Sequence, residues 1–124
     1  MNTNIKTTGI TLTPSISAYI EKRIKKISKF LGKDPSLQCD IEVGKTTSHH
    51  LKGDIFKAEI HIVGKGRNLF ATSERDDLYA AIDDVRDEIL GELKASKEKR
   101  MAFVRRGGAK VKAMVKGLWP WKKS

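Results

Sequence analysis

The hydrophobic period of this chain changes from helical to extended and back to helical, and few architectures accept that order. Between Pro14 and Leu31, the residues Ile16, Ile20, Ile24, Ile27 and Leu31 recur at spacings of 4, 4, 3 and 4. On a helix these residues share an arc of about 80°, the width of a core-facing stripe. Thr13-Pro14-Ser15 supplies a start, because a hydroxyl can accept an orphan backbone N–H and proline loses nothing in the first turn; Gly32 supplies a stop. From Leu37 to Val43 the period becomes 2, with Cys39 directed inward. It returns at Phe56, Ala58, Ile60 and Ile62, inward, against Lys57, Glu59, His61 and Val63, outward. Gly64-Lys65-Gly66 is a short connection from that strand to Asn68–Thr72, which predicts a hairpin. The Thr-rich segment Met1–Thr8 is a first strand, and the polar stretch Thr46–Gly53, with His49 and His50, is a loop. Ser73 or Asp76 opens a second helix, in which Leu78, Ile82, Val85, Ile89 and Leu93 form another buried stripe.

The order is therefore βαβββα, an α+β class protein. Two helices with one apolar face each are satisfied by packing on one face of a four-stranded sheet, as a two-layer sandwich. With 124 residues the chain has room for one such domain, over residues 1–100, followed by a basic tail over 101–124 that is flexible or partly helical. Gly107-Gly108 is expected to break the long helix. Beyond it Val111, Val115, Leu118 and Trp119 can share one face of a short helix that Pro120 stops, too short to be stable alone in water.

Charge is unevenly distributed. Residues 1–96 carry 15 Lys+Arg and 14 Asp+Glu, net +1, whereas residues 97–124 carry 10 Lys+Arg and only Glu98, net +9. Within the near-neutral body, Lys22, Arg23, Lys25, Lys26, Lys29 and Lys33 fall in twelve residues without an acid. Glu74, Asp76, Asp77, Asp83, Asp84, Asp87, Glu88 and Glu92 crowd a later stretch. Such asymmetry speaks to partners, and a polyanion is the natural partner of the basic parts. No stretch approaches the ~18 apolar residues of a membrane span, and Met1–Ile10 lacks the basic-then-apolar pattern of a signal peptide, so a cytoplasmic protein is expected.

Converging catalytic groups are not evident. Cys39, the single cysteine, has no disulfide partner, and as an inward strand residue it is a small hydrophobe with a raised pKa. His49, His50 and His61 with Asp54 lack the spacing of a metal site, so no metal or cofactor is expected. Asp83, Asp84, Asp87 and Glu88 lie along one helix arc, facing solvent, rather than across a pocket as paired catalytic acids do. Neither glycine pair has phosphate-loop spacing. The chain does not read as an enzyme.

Lys22, Lys25, Lys26, Lys29 and Lys33 occupy an arc of about 100° almost opposite the apolar stripe. A helix laced for its own stability places Glu four residues before Lys, yet only Glu21 is acidic here, which favours a polyanion-binding face over a merely solvated one. Composition barely separates RNA from DNA. The tail, with Arg105-Arg106 and Trp119-Pro120-Trp121-Lys122-Lys123, can add charge and stacking platforms or dock on an anionic membrane; its short length favours a nucleic-acid arm.

The run Ala71-Thr72-Ser73-Glu74 with Asp76-Asp77-Leu78-Tyr79-Ala80-Ala81-Ile82-Asp83 resembles the A-S-A-E-x-x-D-M-Y-A-A-I-D signature of the ribosome hibernation promoting factor and ribosome-associated inhibitor family, also known as sigma-factor modulation proteins. Ile10-Thr11-Leu12-Thr13-Pro14 and the helix ending Lys26-Ile27-Ser28-Lys29-Phe30 are similar to the family's first helix, so the resemblance covers about residues 1–100. It implies a bacterial, non-catalytic βαβββα protein that binds the small ribosomal subunit in the messenger and transfer RNA channel, near the decoding region, and blocks initiation by occlusion. It points to Lys22, Lys25, Lys26 and Lys29 on the first helix, and Lys94, Lys97 and Lys99 near the end of the second, as contacts to ribosomal RNA. Arg23, Lys33 and Arg100 join them as basic neighbours. Asp77, Tyr79 and Asp83 match the signature, Tyr79 as a contact or a packing residue.

The chain departs from the family where D-K-L-x-R-Q-L is common: Asp87-Glu88-Ile89-Leu90-Gly91-Glu92-Leu93 puts Glu88 and Gly91 in place of a Lys and an Arg, removing two cations from the second helix. Long members carry a further domain that pairs ribosomes; 124 residues leave no room for it, so a monomer is expected, with DNA not expected as a partner and a membrane disfavoured. Two other classes stay open beside the ribosome. One is a regulatory module whose acidic second helix docks a basic protein such as a transcription factor; the other is a peripheral membrane protein held by the Trp-containing tail.

Overall fold

The computed structural model describes residues 1–46 and 53–118, with side chains through Arg105. The elements are β1 (Asn2–Thr8), α1 (Pro14–Leu31), β2 (Gln38–Thr46), β3 (Ile55–Gly64), β4 (Arg67–Arg75) and α2 (Leu78–Leu118), the order that the alternating periods predict. The His49-His50 loop and the Trp119-Pro120-Trp121 segment lie outside the described residues. The chain divides into two compact units, Met1–Gly91 and a second beginning at Glu92.

The sheet order is β1-β2-β3-β4. β1 runs parallel to β2, the connection passing through α1, while β2–β3 and β3–β4 are antiparallel, so the sheet is mixed. The register aligns the inward residues of all strands: Ile5 with Ile41, Ile41 with Ile60, Ile60 with Ala71, and Cys39 with Ile62. Because side chains alternate along a strand, this register sends one apolar set to the side the helices cover. Cys39, Ile41, Val43, Ala58, Ile60, Ile62 and Ala71 are buried there, together with Ile20, Ile24 and Ile27 of α1 and Leu78, Ile82, Val85 and Ile89 of α2. Each fully buried branched aliphatic contributes roughly 1.5–3 kcal/mol of transfer free energy, so this layer is the main source of stability. Cys39 belongs to it, and burial pushes its thiol up to about 12, so that it is protonated and unreactive at neutral pH.

Local signals close the elements as the residue types require. Thr13 Oγ1 accepts from the Ile16 amide at 3.1 Å, and Gly32, at φ +83°, donates its amide to the Ser28 carbonyl at 2.9 Å. The hairpin turns on Lys65 and Gly66, both at positive φ, the two-residue connection whose twist suits paired strands.

Three boundaries differ from the sequence expectation. β4 continues through Ser73 to Arg75, because Ser73 still pairs with Ala58 and Arg75 with Phe56; neither Ser73 nor Asp76 opens α2. Asp77 caps it instead, its carboxylate accepting from the Tyr79 amide at 3.3 Å. The helix also continues through Gly107-Gly108 to Leu118. Each glycine costs a helix about 1 kcal/mol, but Arg105, Arg106, Ala109 and Lys110 around the pair are good helix formers, and no proline forces a break.

Candidate nucleic-acid interface

The stripe that buries Ile20, Ile24 and Ile27 leaves the opposite side of α1 to solvent. Lys22, Lys25, Lys26 and Lys29 are exposed there; Lys33, expected on the same arc, is also exposed but lies beyond the helix, which ends at Leu31 and is capped by Gly32 at positive φ. None of the five makes an ion pair with a described residue. Four cationic side chains on one face, with a fifth just past its end, therefore have no internal counter-charge, and a partner with matching negative charge would gain counterion release at each contact.

Arg23 does not share this arrangement. It turns toward α2, where its Nε lies 3.1 Å from Asp83 Oδ1 and its guanidinium stacks on the Tyr19 ring, 4.8 Å from the centroid. Tyr19 Oη donates to the same Asp83 oxygen at 2.8 Å, and the edge of its ring meets Tyr79 at 4.7 Å between centroids. Partial burial, and then the hydrogen bond to Asp83, raise the Tyr19 pKa above that of a free phenol. Tyr19, Arg23, Tyr79 and Asp83 thus tie the two helices together across 64 residues of sequence. Asp83 and Tyr79 of the signature, like Asp77 at the cap, have structural work in this molecule. Tyr19 was not singled out from the sequence, although its spacing of four from Arg23 on a helix would have paired them.

The acidic run of α2 is less available than its sequence suggests. Asp83 is taken as described, and Asp84 accepts from Ser73 Oγ at 2.7 Å and lies 3.0 Å from Arg75 Nε. Asp87 pairs with Arg86 at 2.7 Å. The expectation that Asp83 and Asp84 lie in solvent is corrected: both are half-buried, Asp83 drawn in by α1 partners distant in the sequence and Asp84 by Ser73 and Arg75 of the preceding strand. Glu88 is exposed, and at Gly91 a side chain would meet nothing within 4 Å, so packing does not require glycine there. In the second unit, described by itself, Lys94, Lys97, Lys99 and Arg100 are exposed, and Lys97 already has an internal partner. Among the described residues no cluster of three or more His, Cys, Asp or Glu could hold a metal ion, and no helix is long and apolar enough to cross a membrane.

Comparison with known proteins gives this geometry a context. The profile of the family described as Sigma 54 modulation protein / S30EA ribosomal protein matches residues 3–101. A ribosome hibernation promoting factor of Azotobacter vinelandii is similar at 30% identity over 101 residues, 82% of this chain and 87% of that protein. Among solved structures, the N-terminal domain of Thermus thermophilus Protein Y superposes with a TM-score of 0.61 at 24% identity, covering 77% of this chain and 98% of that one. A ribosomal subunit interface protein from Coxiella burnetii does so with a TM-score of 0.62 at 16% identity, over 79% and 99% of the two chains. At these identities the two structures establish the shared fold.

Proposed function

Because this chain belongs to the Sigma 54 modulation protein / S30EA ribosomal protein family, we propose that it is a ribosome hibernation factor acting through the exposed lysine face of α1. One observation carries the mechanism: Lys22, Lys25, Lys26 and Lys29 are solvent-facing and without internal partners on a helix whose other side is locked into the core, and exposed Lys33 follows just past its Gly32 cap. A rigid body with that face fits a groove walled by RNA phosphates. On this proposal the protein enters the messenger and transfer RNA channel of the small subunit near the decoding region and inhibits translation by filling it, preserving idle ribosomes in the cytoplasm. No bond is made or broken, so the chain needs no catalytic group or cofactor. Lys94, Lys99 and Arg100 supply further cationic contacts in the second unit.

Docking of the acidic helix on a basic partner is the weaker alternative, since Asp83, Asp84 and Asp87 are engaged within the chain. The test is co-sedimentation with vacant bacterial ribosomes and separated subunits across a salt series, for the intact protein and for a variant with Lys22, Lys25, Lys26 and Lys29 all changed to Glu. Binding to the small subunit that weakens with salt and vanishes in the variant is the expected result. Absence of binding by the intact protein at low salt overturns the proposal.

A further inference from the structure

The sheet has a second face, turned away from the helices, and its alternation is interrupted in one place. In the register, Val63 stands opposite Gln38 and Asn68, while His61 stands opposite Asp40 and Phe70. Val63 and Phe70 are therefore diagonal neighbours on adjacent strands, close enough to form one apolar strip. Phe70 is 49% exposed and Val63 44%. The His61 ring meets Phe70 edge to face at 5.7 Å between centroids, and its Nε2 lies 2.8 Å from Asn68 Oδ1, so the strip is ordered by its neighbours.

An antiparallel face in contact with water ordinarily places polar residues at such positions, and contiguous exposed apolar surface marks interaction sites. The surrounding charge states what kind of partner fits. The same face carries Asp40, Glu42, Glu59 and Glu74 against Lys6 and Lys57, and Lys57 is held by Glu59 at 3.0 Å. The two rows holding Val63, His61 and Phe70 contain Asp40 and no Lys or Arg. A nucleic acid would bring phosphates against these carboxylates, whereas a basic polypeptide would find complementary charge around an apolar centre.

We propose that the open sheet face around Phe70 and Val63 docks an extended, basic segment of a protein partner. The molecule is then two-sided, α1 meeting polyanion and the sheet meeting polycation, as an assembly of RNA and basic proteins would require. This proposal does not depend on the RNA contact of α1, because its test contains no RNA.

The experiment uses the full chain, isotopically labelled, and titrates it with a short synthetic peptide alternating Arg with Leu, and separately with the same peptide carrying Glu for Arg. Saturable binding of the Arg peptide alone is expected, with NMR shift changes centred on His61, Val63 and Phe70. Phe70→Lys should weaken it about tenfold or more, as loss of an interface anchor does, and Asp40→Lys by less. Since Phe70 is half-exposed, Phe70→Lys should fold normally; Phe70→Ser serves as the second variant. The α1 variant with four Lys→Glu changes should keep the peptide site. No saturable binding at low ionic strength, shifts centred elsewhere, or undiminished affinity in both Phe70 variants would overturn the proposal. So would self-association of the free protein that Phe70→Lys abolishes, since the occupant would then be a second copy of this chain.

Discussion

The outer face of α1 and the first turns of α2 are both dense in charge, yet they differ in where that charge goes. On α1 four lysines, with Lys33 just beyond its cap, remain exposed without internal partners. On α2, Asp83, Asp84 and Asp87 are each within 3.1 Å of an arginine, and two of them also accept a hydroxyl. A charge satisfied within the fold acts on stability and has little left for a partner; an unsatisfied one does the reverse. Charge density in a sequence does not separate these cases, and Arg23 shows this best: it belongs by sequence to the basic cluster and by contact to the acidic helix.

This contrast can be broken at either side. Changing Lys22, Lys25, Lys26 and Lys29 to Glu should have the largest effect, an affinity loss of about 10³-fold or more for ribosomes and a log–log salt dependence flatter by about 3 to 4 units, if each lysine contacts one phosphate. Its thermal melting should remain close to that of the parent, since none of the four has an internal ion pair to lose. A large fall in melting temperature would show that these lysines are structural. Asp83→Ala should reverse the pattern, lowering the denaturant midpoint of unfolding, because it removes the acceptor that the Tyr19 hydroxyl and the Arg23 guanidinium share between the two helices. Ribosome affinity measured on the folded variant should hold.

Smaller effects sharpen the comparison. Gly91→Arg places a cation on α2 where no side chain exists and space is open; helix propensity alone should add about 0.5–1 kcal/mol to stability. If α2 faces RNA at this point, affinity should also rise several-fold, and unchanged affinity would confine the RNA contact to other surfaces. The smallest effect concerns pH. Tyr19 has a raised pKa in the folded state, so its stabilising contribution is fully present below the unfolded value of about 10 and is lost as pH rises through the folded value. Alkaline unfolding curves of Tyr19→Phe should lack that step, and equal curves would show the tie to Asp83 contributes nothing.

Much of this molecule was legible from residue order. The alternation Leu37–Val43, the stripe from Ile16 to Leu31, and the hairpin at Gly64-Lys65-Gly66 all appear as expected, because period and turn chemistry act over a few neighbours. The differences fall where long-range pairing, or the propensity of neighbouring residues, overrides a local signal. Ser73 has the chemistry of a helix cap, but its pairing with Ala58 keeps it in β4 and leaves the cap to Asp77. Gly107-Gly108 has the chemistry of a break, and the helix runs through it. Phe70 was legible as outward from its parity with Ala71, and only the structure showed it beside Val63 and His61.

By itself, then, the sequence determined the six elements, the inward-facing residues and the lysine arc, since each depends on a periodicity carried by contiguous residues. Tertiary structure alone decided that β1 pairs with β2 in parallel, that Arg23 leaves the basic face for Asp83, and that Asp83 and Asp84 of α2 are engaged within the fold. Those outcomes depend on which distant groups come within about 3 Å of one another, and the strength of a hydrogen bond or ion pair falls too steeply with distance for any local pattern to encode it.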